Sequence, residues 1–146
     1  MNTHGVTTSV MIGVLVLATT AEGQDRWATQ ARGEMTRAAQ IARDAGFGIT
    51  DSYYHGSLSD SRAKELDMSF SAEHTQVIVA VCDFDCRDID LALLEPNGRE
   101  VEADRSVGDT AAIIVPPNHS GRHTVRVSMP YCKVSPCRYE LAVFRR

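Results

Sequence analysis

From Asp67 to the C-terminus the chain is a succession of short apolar segments cut apart by turn-forming residues. Segments this short cannot make stable helices, but they match the length of strands that bury one or both faces. Seven strands are expected, over 67–72, 76–82, 88–95, 100–103, 111–115, 123–129 and 138–144. Gln76–Cys82 (QVIVAVC) is apolar on both faces, as in a strand covered from two sides. His123–Met129 alternates, with Val125, Val127 and Met129 on one face and Arg126 and Ser128 on the other. Between 88–95 and 100–103 stands Pro96-Asn97-Gly98, where proline presets φ and glycine accepts a positive φ, so a tight hairpin is expected. A second turn falls at Pro116-Pro117-Asn118-His119-Ser120-Gly121. Strands and turns at this spacing predict a mainly β fold, an antiparallel β-sandwich over 67–146.

All four cysteines lie within those strands and turns, in two close pairs, Cys82 with Cys86 and Cys132 with Cys137. Two chemistries compete for them. A four-thiolate zinc site favours the tighter C-x2-C knuckle, whereas an even cysteine count in an exported chain favours disulfides. Disulfides are therefore expected. Local pairing, 82–86 and 132–137, closes short loops worth about 2 kcal/mol each, while crossed pairing closes longer loops worth about 4 kcal/mol. Each pair sits where a strand gives way to a loop, and Pro136 favours a turn, which points to local pairing and leaves the crossed pattern open.

The N-terminus bears on the compartment. Val10–Ala18 is an apolar run too short to span a bilayer, which needs about 20 residues, and small residues follow it. Residues 1–23 thus read as a signal peptide, cleaved after Gly23 or after Ala21, although no Lys or Arg precedes the run. Export, periplasmic or extracellular, is the expected localisation, with no stable membrane span. A net charge of −4 and no basic stripe argue against nucleic acid.

Residues 24–49 carry an amphipathic helix. Trp27, Ala31, Met35, Ala38, Ile41 or Ala42, and Ala45 recur at helical spacing, Asp25 is placed to cap the start, and Gly46 and Gly48 mark the exit. The narrow, alanine-rich stripe suits close packing on a flat sheet. Residues 50–66, rich in Ser, Asp and Tyr, read as a polar connector.

Three segments, DIDLALLEPNGREV at 88–101, SGRHTVRV at 120–127 and YELAVF at 139–144, resemble the bacterial pre-peptidase C-terminal domain, a secreted jelly-roll-like sandwich. His123 stands where that family usually carries Tyr, and the two cysteine pairs suggest a cysteine-bearing branch of exported bacterial proteins. The resemblance implies roles in secretion, stability or surface attachment rather than catalysis.

The acidic run Asp83, Asp85, Asp88 and Asp90 offers alternating carboxylates that suit calcium, but it lacks the glycine and terminal glutamate of the EF-hand loop, and Asp at the start of a strand commonly caps a turn. No cofactor is expected, calcium being the one metal these residues suggest. Among His4, His55, His74, His119 and His123 no HExxH occurs, and no serine sits in a G-x-S-x-G elbow. Tyr53, Tyr54 and Tyr131 are the aromatics left for a sugar platform. An exported non-catalytic accessory module follows, structural or protein-binding, with a protein or cell-surface partner favoured over a small molecule. The alternatives are a small secreted hydrolase using carboxylates near 83–90, and a carbohydrate-binding module.

Overall fold

A computed structural model describes residues 21–146. The run Val10–Ala18, and with it most of the expected signal segment, lies outside the described residues. One helix, α1 (Ala21–Asp44), precedes eight strands: β1 (Gly48–Leu58), β2 (Arg62–Phe70), β3 (Gln76–Cys82), β4 (Cys86–Leu94), β5 (Glu100–Asp104), β6 (Thr110–Val115), β7 (Gly121–Cys132) and β8 (Cys137–Arg145). No helix among the described residues is long and apolar enough to cross a membrane.

The strands form two four-stranded antiparallel sheets, ordered β1-β8-β3-β6 and β2-β7-β4-β5. The pairings are nested: β1 with β8, β2 with β7, β3 with β6 and β4 with β5, with β3–β8 and β4–β7 closing each sheet. This is the jelly roll, a long antiparallel ribbon wrapped over itself into two layers. Ile78, Leu91, Leu93, Val125, Val127, Met129 and Leu141 interdigitate between the layers, all essentially inaccessible. The hairpin at Pro96–Gly98 is present, with Glu95 N–H donating to the Arg99 carbonyl and Gly98 at φ 84°.

The expected connector is corrected. Residues 50–66 are not a linker but most of β1 and the first half of β2, each pairing along its length with β8 or β7. Both are edge strands, so their outward positions stay polar, and β1 carries a register shift between Ile49 and Tyr53 that breaks the alternation. Gly56 is needed where it lies: a Cβ there would stand 2.9 Å from the ring of Tyr139, its partner on β8.

The helix also departs from expectation at its ends. It begins by Ala21 and runs through Asp25, so Asp25 is an interior residue rather than a cap. Ala31, Met35 and Ala39 form its buried line, and Met35 and Ala39 pack on Val79, Val81, Ala142 and Phe144 of the outer face of the β1-β8-β3-β6 sheet. This second core explains why β3 is apolar on both faces. Of the two alternatives for the stripe, Ala42 turns inward and Ile41 is 71% exposed.

Candidate functional site

Both cysteine pairs close locally, Cys82–Cys86 and Cys132–Cys137, with Cα separations of 5.9 and 5.8 Å. Each bridges a corner at which the chain leaves one sheet for the other, β3 to β4 and β7 to β8. The two corners are neighbours, because Cys86 pairs with Cys132 across β4 and β7. Beyond that pair the Lys133 N–H donates to the Asp85 carbonyl at 2.8 Å. One residue further along each loop stand Phe84 and Val134, 55% and 57% exposed.

The remaining corners at this end of the sandwich brace the same structure. In the β1–β2 corner, Asp60 Oδ1 accepts the Cys132 N–H at 2.8 Å, and the Asp60 N–H donates to Ser135 Oγ. In the β5–β6 corner, the Gly108 and Asp109 carbonyls accept N–H bonds from Ile89 and Cys82. That corner presents Val107, 86% exposed, and the end of β7 presents Tyr131, 54% exposed. Four large apolar side chains thus stand out from one covalently stapled end. The physical cause is local. Both cysteines of each loop are buried and Asp83 is turned inward beside Cys82, which leaves Phe84 and Val134 at the outward tips of their loops.

The acidic run does not converge on a metal. Asp83 turns into the corner, 1% exposed, where Oδ1 accepts N–H bonds from Asp85 and Cys86 and Oδ2 accepts that of Arg138 at 2.6 Å. Burial raises its carboxyl above the ordinary value, while the Arg138, Asp85 and Cys86 N–H groups pull the other way. Asp88 and Asp90 alternate onto the outer face of the second sheet, beside Tyr131 and Ser128. Asp90 Oδ1 is buried with no hydrogen-bond partner, and its carboxyl is raised by burial and by the charge of Asp88, against the pull of Arg105. Among the described residues no group of three or more His, Cys, Asp or Glu side chains is placed to hold a metal ion. Of the carboxylates near 83–90, Asp83 is a turn cap, while Asp88 and Asp90 stand together on the outer sheet face.

The opposite end carries a polar cleft of about 460 Å³. It brings together His119 and His123, with ring centroids 6.0 Å apart, a juxtaposition their spacing across a turn did not suggest. His119 Nδ1 lies 3.5 Å from Glu95 Oε1, but Arg99 already holds that carboxylate through Nε at 2.9 Å and Nη2 at 2.6 Å and depresses its protonation. Ser120 lines the cleft and hydrogen-bonds neither histidine, so no activated nucleophile is assembled there.

The tyrosines do not form a platform. Tyr54 packs into the inter-sheet core, Tyr53 donates to Glu140 on the helix side, and Tyr131 belongs to the stapled end. Trp27 is stacked beneath the Arg26 guanidinium at 4.4 Å. His55 lies opposite Glu140 in the β1–β8 register, and His74 falls in the β2–β3 turn.

No family model matches this chain, and no curated protein matches it. Among solved structures it is similar to Aeromonas hydrophila PliG, a periplasmic lysozyme inhibitor of g-type lysozyme, at 13% identity and a TM-score of 0.45, over 68% of this chain and 89% of that one. It also overlaps an arabinose-bound α-L-arabinofuranosidase at 10% identity and a TM-score of 0.30, over 69% of this chain and 23% of that chain.

Proposed function

We propose that this chain is an exported, non-catalytic accessory protein that grips a protein partner with the stapled end of its jelly roll. The observation that carries the proposal is the display of Phe84, Val107, Tyr131 and Val134 on corners locked by two disulfides and a shared set of backbone hydrogen bonds. Large apolar side chains on a rigid frame lose little conformational freedom on binding, and clustered exposed apolar groups mark protein contacts more often than catalytic sites. Paired cysteines fit an oxidising compartment, in keeping with the apolar run at Val10–Ala18. The resemblance to the pre-peptidase C-terminal domain belongs to the same proposal, and the nested jelly-roll pairing supports it.

The test begins with affinity capture from periplasmic and culture-medium fractions, followed by binding measurements on each purified candidate. Phe84→Ser with Val134→Ser should weaken the true partner at least about tenfold. Folding stability should stay within about 0.5 kcal/mol, since both side chains are surface groups. A partner whose affinity is indifferent to both substitutions would remove the stapled end from the argument. Turnover of an ester, peptide or glycoside substrate that Asp88→Asn abolishes would replace the proposal with the hydrolase alternative.

A further inference from the structure

The two sheets end in four edge strands, β1 and β6 in one, β2 and β5 in the other. An edge strand presents unpaired N–H and C=O groups to any further strand, and native chains blunt it with charges, bulges or proline. β2 carries Arg62, Lys64, Glu65 and Asp67, β5 carries Glu100, Glu102 and Asp104, and β1 carries Asp51 and a register shift. β6 is different. Its sequence, TAAIIV, has no charged side chain, is mostly β-branched, and pairs in unbroken register with β3. Nor does the helix cover it: an open groove with Ala38 of α1 and Ala112 of β6 on its walls lies between them, and Ile114 is 59% exposed.

The register fixes which backbone groups of β6 face the open side. One step beyond the Val81–Thr110 pair, the Asp109 carbonyl accepts the Cys82 N–H. Antiparallel pairs alternate between bonded and unbonded, so Ala111, Ile113 and Val115 spend their backbone groups on β3. Thr110, Ala112 and Ile114 direct theirs to the open side. The middle position is taken. Asp104, at the end of β5, reaches over from the other sheet, and its Oδ2 accepts the Ala112 N–H at 2.9 Å. Its Oδ1 accepts the Ser106 N–H at 3.0 Å and the Ser106 hydroxyl at 2.5 Å, which holds the carboxylate across the edge. An incoming strand would have to displace it before pairing with Ala112.

We propose that Asp104 is a guard on the β6 edge, and that what it excludes is β6 of a second copy of this chain. The strand itself favours that occupant. Two copies of TAAIIV paired antiparallel about a two-fold axis place no charge opposite a like charge, whereas the β2 and β5 edges would set charged side chains against an apolar strand. The guard acts through one side chain supplied by a neighbouring strand, because β6 has no charge of its own. It does not rest on what the stapled end binds.

Sedimentation equilibrium of the full chain, disulfides intact, tests the proposal over a concentration series. Asp104→Ala should associate at least about tenfold more tightly than wild type, because the edge loses its occupant. Adding Ile114→Lys to Asp104→Ala puts a charge beside the open edge and should return association to the wild-type level. Aggregation caused by unfolding would not be reversed by a surface lysine, so the pair of variants separates the two. Hydrogen exchange reads the guard directly: in wild type the Ala112 amide should exchange at least about tenfold more slowly than those of Thr110 and Ile114. An Asp104→Ala chain that associates no more than wild type overturns the proposal. Association that Ile114→Lys leaves undiminished, or an Ala112 amide as open as its neighbours, overturns it equally.

Discussion

Asp83 and Arg138 are joined across the two disulfide corners: the Arg138 N–H donates to Asp83 Oδ2 at 2.6 Å, and the Asp83 N–H donates to the Arg138 carbonyl at 3.0 Å. A single buried side chain thereby ties the β3–β4 corner to the first turn of β8 while Oδ1 caps its own loop. Asp83→Ala would leave the Asp85 and Arg138 N–H groups without their acceptor in a buried corner, while the Cys86 N–H keeps the Asp83 carbonyl. We expect a loss of about 1–3 kcal/mol, read as a lower urea midpoint with unchanged slope. Stability equal to wild type would show that the strap is dispensable.

Each disulfide closes a short loop, so each should stabilise the fold by about 2 kcal/mol. Cys82→Ala with Cys86→Ala, and Cys132→Ala with Cys137→Ala, should lower stability by similar amounts. Because the loops share the Lys133–Asp85 and Asp83–Arg138 hydrogen bonds, removing both bridges should depart from the sum by more than about 0.5 kcal/mol. Additive losses would argue that the corners act independently.

Glu140 is 4% exposed beneath α1, where Tyr53 donates to it and Arg32 is the nearby cation. Burial raises its carboxyl above the ordinary value, and the Arg32 charge opposes the rise. A carboxyl raised by folding contributes stability that is complete below its unfolded value, about 4.3, and is lost as pH climbs through the folded value. Glu140→Gln cannot ionise and should lack that component. Relative to the variant, wild type should therefore gain stability as pH falls from neutral towards 4, measured by thermal unfolding across the range. Parallel pH profiles would contradict the assignment.

Asp90 on β4 keeps one oxygen buried without a partner, next to Asp88. Its ionisation is opposed by burial and by that neighbour, so at neutral pH it works against the fold. Asp90→Thr, which suits a strand and removes the charge, should raise the neutral-pH stability by about 1 kcal/mol. The gain should shrink in acid as the wild-type carboxyl is protonated. A loss of stability instead would mean that the orphan oxygen has a partner in solution.

Much of the sandwich can be read along the chain because strand alternation and turn chemistry are local. Seven of the eight strands lie within a few residues of their expected positions, the Pro96–Gly98 hairpin forms, and both disulfides close within their own loops. Local pattern failed at β1: Tyr53, His55 and Ser57 face outward on an edge strand, so little apolar alternation marks it, and pairing with β8 holds it extended. The same limit applied to the acidic run, whose members share a few consecutive positions yet are sent to a buried corner and to an outer sheet face.

The β-sandwich class, the leaning towards local disulfides and the helix were thus legible in residues close together in sequence, where apolar period, turn propensity and loop length act. The stapled end and the open groove were decided by the tertiary structure alone. Cys86 meets Cys132, and Ala38 faces Ala112, only after the ribbon wraps and long-range register is set. Register is a property of paired strands, and no single strand carries it.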